Sequence, residues 1–363
     1  MVALLRSTDG NPDSRFEKYV DFLEEKGVPY LTICWDRRCN KQETDNKFYY
    51  KRPSVYGARY GNIRGLIGFN WFIFKTLWKN RKRYKVIHAC DFDTVIPAII
   101  ARLFLRKRVI YDIFDWYVDS RSVKGLFKWM IYAQEFFNIK LSEAVIICEE
   151  ERISQIIFKP KQLWILPNIP NFKDKVEGFK KNDKLTIGYV GILAGARGLE
   201  NLIQYAKEND IINLKIGGFG ELEKLLQNGT YPNIEYYGSV PYTKALQILN
   251  SVDVIYAMYQ KVNRNHILAA PNKYYEGLYL GKPIITTEGT IVGDKTKKYE
   301  TGFVIEESYQ DFAKLVDSIT DTEIEEFGKN AEELWNSKYS TFVSDFLNKT
   351  YLPFIEKYGE SHF

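Results

Sequence analysis

The chain has 363 residues, 45% hydrophobic and 27% charged, which suits a soluble globular protein with two ordinary domains and two sizeable cores. Its four cysteines, Cys34, Cys39, Cys90 and Cys148, have neither paired metal-ligand spacing nor the density of a disulfide scaffold, so a reducing, cytoplasmic compartment is expected. The net charge of +5 is uneven: residues 1–170 carry 29 Lys and Arg against 19 Asp and Glu, and residues 171–363 carry 22 against 27, so the first half should attract an anionic partner or surface.

The opening MVALLRSTDG reaches Arg6 after five apolar or small residues, too few for a signal-peptide core. No uncharged apolar run approaches the roughly 18 residues that span a bilayer, so neither export nor membrane spanning is expected. MVALLR, YLTICW, VIHAC, RVIYDI and AVIIC then predict strands separated by stretches of helical periodicity. Among those stretches, DSRFEKYVDFLEEKG predicts a helix with Asp13 or Ser14 as its N-cap and Gly27 at its end. Residues 59–85, RYGNIRGLIGFNWFIFKTLWKNRKRYK, interleave Lys and Arg with Phe69, Trp71, Phe72, Phe74 and Trp78. Such a segment suits contact with an anionic membrane surface, or a helix packed under the sheet with a basic exposed end, and no nucleic-acid module accompanies it. The polar, aperiodic NIPNFKDKVEGFKKNDK, residues 168–184, predicts the interdomain linker. LTIGYVG, NLKIGG, IEYYGSV, VDVIYAM and KPIITTE predict the strands of a second domain, and the C-terminal segment has helical spacing. Apolar runs alternating with helices predict an α/β chain of two doubly wound parallel sheets.

In such sheets ligands bind beyond the carboxyl ends of the strands, where glycines admit an anion to backbone amides. Three candidate ends lie in the second half: Gly191, Gly195 and Arg197 in GYVGILAGARGLENLI, Gly217, Gly218 and Gly220 in IGGFGELEKLL, and Gly238 with Pro241 in YYGSVPYTKAL. Taken singly each is a tight strand-to-helix turn, and none fits the G-x-G-x-x-G fingerprint. A guanidinium at Arg197 adds the capacity for bidentate contact to a diphosphate. In APNKYYEGLYLGKPIITTEG, a helix starting at the Asn would face its free N–H groups and Lys273 toward phosphate, and Glu276, one turn on, toward the two hydroxyls of a ribose. The same residues also read as a solvated glutamate beside a lysine at i−3.

In order and spacing, IGYVGILAGARGLENLI, LKIGGFGELEKLL, IEYYGSVPY, SVDVIYAMY and PNKYYEGLYLGKPIITTEG resemble the nucleotide-binding domain of GT-B glycosyltransferases, specifically the retaining glycosyltransferase family 4, or glycosyl transferases group 1. Weaker echoes such as VIHACDFDTVIPA, RVIYDIFDWY and ILPNIPN extend the resemblance over most of the chain. It implies two Rossmann-like domains facing a cleft: an acceptor-binding domain over 1–170, a nucleotide-sugar-binding domain over 171–340, and a C-terminal helix over 341–363 packing back on the first. It also implies that Glu276 holds the donor ribose, Arg197 the diphosphate, Asn272 and Lys273 a second phosphate contact, and Gly191, Gly218, Gly238 and Val240 the remaining donor surface. Asp91, Asp115 and Arg197 are the residues expected at the chemistry, the aspartates toward sugar or acceptor hydroxyls; helix capping is the equal alternative for both aspartates. His88, within a strand, reads as a packed core histidine, and His266 as a loop residue near the donor motif.

The resemblance implies retaining transfer from a nucleotide-diphosphate sugar to a glycan or lipid-linked acceptor at the cytoplasmic face, with residues 59–85 as a peripheral membrane contact. Such chemistry asks mainly for positioning and leaving-group stabilisation, and Arg197 with Lys273 can neutralise the diphosphate without a metal or other cofactor. Three departures stand out: Leu268 where many relatives carry a Glu, and Cys90 and Phe114 where His is common. They keep open a non-catalytic sugar-nucleotide-binding partner; a nucleotide-sugar 2-epimerase, which shares the GT-B fold, is a further alternative, against which the Pro-Asn-Lys motif at 271–273 argues for transfer.

Overall fold

The computed structural model describes residues 1–8, 13–54, 59–121, 123–156, 158–172, 182–227 and 231–359, so most of the expected linker, 173–181, lies outside the described residues. The chain divides into two compact units, Met1–Pro167 with Val343–Phe363, and Asn168–Phe342.

The first unit is a seven-stranded sheet of β1 (Val2–Arg6), β2 (Tyr30–Asp36), β3 (Lys47–Lys51), β4 (Val86–Cys90), β5 (Arg108–Ile113), β6 (Ala144–Ile147) and β7 (Leu163–Ile165). The strands lie in the order β3-β2-β1-β4-β5-β6-β7 and every pair is parallel. β1, β2, β4, β5 and β6 are near-continuous buried runs, as parallel strands covered on both faces must be. The two edge strands were not expected from the sequence. β3 is half-buried with lysine at both ends, and β7 has three residues, too few for a period to show.

The first helix, Ser14–Glu25, starts where expected: the Asp13 carboxylate accepts from the Phe16 N–H at 3.1 Å, and Gly27 beyond its end adopts φ +64°. The basic aromatic segment forms helix Arg59–Lys79, which buries Phe69, Ile73 and Leu77 under the sheet and turns Ile67 and Trp71 outward. The C-terminal segment belongs to this unit. The Tyr351 hydroxyl lies 2.9 Å from His88 Nδ1 on β4, and Trp164 packs edge-on against Phe346 and Phe354.

The second unit is a parallel six-stranded sheet of β8 (Thr186–Ile192), β9 (Asn213–Phe219), β10 (Ile234–Tyr236), β11 (Val254–Tyr256), β12 (Ile284–Thr287) and β13 (Gly302–Ile305), in the order β10-β9-β8-β11-β12-β13. Strand order reverses between β1 and β4 in the first unit and between β8 and β11 in the second. Those are the switch points at which open α/β sheets bind ligands. The β8–β9 register sets Gly191 opposite Gly218 at the carboxyl ends, which places the first glycine motif against the second.

Candidate active site

The second unit carries one connected group of the expected residues. Gly218 adopts φ +130°, and a Cβ there would stand 1.7 Å from the Gly191 carbonyl oxygen, so only glycine allows the two strand ends to meet. The Gly218 N–H donates to the Gly238 carbonyl at 2.7 Å, which ties in the loop after β10. Val240, half-buried, lies two residues further along that loop. A Cβ on Gly191 would lie 2.8 Å from Lys273 Nζ, so the missing side chain lets that ammonium reach the end of β8.

Lys273 sits in the first turn of helix Asn272–Leu280, whose N-cap Pro271 supplies no side-chain acceptor, so the positive end of the helix dipole has no anionic cap. Its Nζ lies 4.5 Å above the Tyr189 ring. Burial, opposed by Glu276 and reinforced by Arg197, lowers the Lys273 ammonium to about 8. Arg197 ends the short turn Gly195–Arg197 between β8 and helix Leu199–Glu208, with its guanidinium 4.1 Å above the Tyr259 ring. Arg197 Nη1 is buried and has no hydrogen-bond partner among the described residues. Two cations on aromatic rings, one with an orphaned donor, form a receptor for an anion that the fold itself does not supply.

Glu276 lies one turn beyond Lys273, only 6% exposed, and accepts from the Tyr242 hydroxyl at 3.2 Å. Burial raises its carboxyl above the ordinary value, against the opposing pull of Lys273 and that hydrogen bond. One carboxylate oxygen is thereby oriented by protein, and the group can accept from ligand hydroxyls. Removing the tyrosine hydroxyl in Tyr242→Phe should cost about 1 kcal/mol of orientation, read as a roughly fivefold rise in donor KM with kcat retained.

Protonation of Lys273 makes the charge of this anion receptor depend on pH. Diphosphate binding favours the ammonium, so affinity should hold below pH 8 and fall as pH rises through about 8, while Lys273→Arg, still charged there, should flatten the profile in a titration from pH 7 to 9.5. The neighbouring loop contributes less. His266 Nδ1 is 2.9 Å from the Gln260 carbonyl oxygen, and Leu268 ends helix Arg264–Ile267 with no carboxylate to offer a sugar.

In the first unit the aspartates anchor a loop. Asp91 opens helix Phe92–Leu105 with φ +66°, yet its carboxylate does not cap that helix. Oδ1 accepts from the Phe114 N–H at 2.9 Å and Oδ2 pairs with Arg6, so the side chain fixes the chain after β5. Burial pushes the Asp91 carboxyl up to about 6, although Arg6 pulls it down. Asp115 also caps nothing; its carboxylate is 56% exposed and 3.4 Å from Arg152 Nη2, which makes it the accessible one of the pair.

Asp112, near the end of β5, is fully buried and accepts from Arg15 Nη2 at 2.5 Å and the Tyr19 hydroxyl at 2.8 Å, with His88 Nε2 3.4 Å away outside hydrogen-bond geometry. The core histidine is therefore held by Tyr351 through Nδ1 and lies beside the Asp112 carboxylate. Phe114, which stands where relatives carry His, is flanked by the guanidinium groups of Arg6 at 4.1 Å and Arg15 at 4.6 Å. His88, Cys90 and Asp112 bring their ligand atoms within 4.8 Å of one another. A cation there would face the Arg15 guanidinium already bound to Asp112, so the donor set suits a hydrogen-bond network better than a metal. Sequence reading passed over Tyr189, Tyr242, Tyr259, Arg6 and Arg15. The available signal was their place: Tyr189 lies on β8, Tyr259 three residues past β11, and Arg6 ends β1.

Residues 171–334 match the protein family described as Glycosyl transferases group 1, so the chain carries a glycosyl transferases group 1 domain and is a glycosyltransferase of the GT-B fold. Three solved structures are similar over nearly its whole length. Anabaena HepE in complex with UDP and glucose has a TM-score of 0.69 at 11% identity, with 97% of this chain and 100% of that chain covered. Sucrose-phosphate synthase from Thermosynechococcus elongatus has a TM-score of 0.72 at 13% identity, covering 98% and 100%. WaaG, a glycosyltransferase involved in lipopolysaccharide biosynthesis, has a TM-score of 0.65 at 12% identity, covering 95% and 98%. No curated protein matches the chain in sequence.

Proposed function

We propose that the protein is a retaining glycosyltransferase of family 4 that takes a nucleoside-diphosphate sugar and transfers the sugar to a glycan or lipid-linked acceptor at the cytoplasmic face of a membrane. The observation that carries this reading is the buried, unpartnered Arg197 Nη1 beside Lys273 at the start of the helix that presents Glu276. Arg197 and Lys273 receive the diphosphate, with no metal or other cofactor, and Glu276 receives the ribose hydroxyls. In the transfer the bond between the anomeric carbon and the diphosphate oxygen breaks, a bond to the acceptor oxygen forms on the same face, and the acceptor proton passes to the departing phosphate. Both cations then stabilise charge as it develops on the leaving group. Asp115 is the first-unit residue assigned to acceptor hydroxyls; Asp91 holds the backbone that carries it.

The base and the sugar are tested together with a panel of UDP-, GDP- and ADP-sugars. HepE was crystallised with UDP-glucose, which puts UDP-sugars first. Released nucleoside diphosphate, and an anomeric configuration retained in the product by proton NMR, would support the reading. Leu268, which offers no carboxylate to the donor sugar, motivates the rival of a non-catalytic sugar-nucleotide binder. Tight binding without nucleotide release across the panel and a set of glycan and lipid-linked acceptors would establish that rival, and an epimerised free sugar would point to the 2-epimerase.

A further inference from the structure

In the first unit the helices Arg59–Lys79, Phe92–Leu105 and Gly125–Leu141 precede β4, β5 and β6, and right-handed crossovers put all three on one side of the sheet. They pack side by side, with Asn70 Nδ2 donating to the Asp93 carbonyl at 2.9 Å between the first two. Their outer surface is unusually apolar. Helix Gly125–Leu141 turns Leu126, Phe127, Trp129, Met130 and Phe137 to solvent, with Leu126, Phe127 and Trp129 at least 70% exposed. Trp71 and Phe104 are exposed on the neighbouring helices. An apolar stripe of this kind on a monomer marks a contact surface.

Along the helix itself the exposed charges have one sign. Across residues 121–141 the basic side chains are Arg121, Lys124, Lys128 and Lys140, and Arg121, Lys124 and Lys140 are exposed. The only acid in that stretch, Glu135, is 1% exposed and accepts from the Tyr111 hydroxyl at 2.9 Å, on the core side. Trp, Phe, Leu and Met bordered by Lys and Arg, with no outward acid, match the headgroup layer of an anionic bilayer. Among the described residues no helix is long and apolar enough to cross a membrane, so this one lies on the surface.

We propose that helix Gly125–Leu141 is the membrane-docking element, seated on anionic lipid through Leu126, Phe127, Trp129 and Met130, with Arg121, Lys124 and Lys140 against lipid phosphates. The centre of the docking surface thus moves away from residues 59–85, whose helix keeps Phe69, Ile73 and Leu77 for the core. The helix begins at the carboxyl end of β5, the end that also carries Asp115, so a lipid-linked acceptor would arrive where its hydroxyls are needed. Only that last step rests on the glycosyltransferase reading; docking itself does not.

The test is flotation of the full chain with vesicles of phosphatidylcholine, with and without phosphatidylglycerol. Co-flotation is expected with anionic vesicles and at least about tenfold weaker partition without them or at 0.5 M salt. Phe127→Ser with Trp129→Ser should lower partition by about tenfold or more, as should Lys124→Glu with Lys140→Glu, which replaces one exposed polar group by another. Trp71→Ser should change it by less than about threefold. Both double variants should keep the wild-type melting temperature and the wild-type rate of donor hydrolysis without vesicles. Wild-type flotation by both double variants overturns the proposal, and so does a wild type that ignores anionic vesicles. A dimer that Phe127→Ser with Trp129→Ser dissolves also overturns it, by showing that a second copy covers the surface. Vesicle binding without turnover of any donor would leave docking intact and remove the proposed function instead.

Discussion

Arg197→Ala should lower kcat/KM for the nucleotide sugar by about 100- to 1000-fold, measured by release of nucleoside diphosphate under subsaturating donor. The guanidinium is already in place: it lies over Tyr259, its Nη1 is buried, and it forms no ion pair among the described residues. A ligand phosphate therefore meets a donor whose desolvation has occurred on folding, and the contact strengthens as the leaving group gains charge. The loss should fall on KM and kcat together. Arg197→Lys should recover little, because an ammonium cannot reproduce two parallel N–H donors. Unchanged kcat/KM in Arg197→Ala would refute the diphosphate assignment.

Asp112→Ala should destabilise the protein by about 3–5 kcal/mol, read as a lower urea midpoint. The carboxylate is fully buried, and its loss would strand Arg15, the Tyr19 hydroxyl and His88 in one pocket of the first unit. Arg15 and His88, prevailing over burial, lower the Asp112 carboxyl to about 2 from its ordinary 3.8. Stability from this group is therefore present above pH 3.8 and is lost as pH falls from there toward 2, so the acid unfolding of the wild type should steepen over that range and that of Asp112→Ala should not. A change under about 1 kcal/mol would show that the network is dispensable.

The central strands were legible because each is an apolar run with a turn at both ends, and parallel strands buried on both faces leave that pattern. β3 and β7 were not, since edge strands need neither full burial nor length. The Asp13 cap and the Gly27 terminus were legible because local hydrogen bonding sets them. Arg197, Lys273 and Glu276 could be named because their motifs are contiguous in sequence, whereas their aromatic supports come from elsewhere: Tyr189 and Tyr259 lie about 70 residues apart. The roles of Asp91 and Phe114 depend on Arg6 and Arg15, which only the sheet brings to the carboxyl ends of β4 and β5. The apolar stripe of helix Gly125–Leu141 was hidden because hydrophobicity in sequence does not say which face meets the core.

The most direct measurement is isothermal titration of the purified chain with UDP and then with GDP and ADP, repeated on Glu276→Ala and Arg197→Ala at pH 7. One nucleoside diphosphate should bind the wild type without added metal, about 10- to 100-fold more weakly to Glu276→Ala, where hydrogen bonds to a charged group are lost, and not measurably to Arg197→Ala. Equal affinity for wild type and both variants, or no binding of any nucleoside diphosphate, would contradict it.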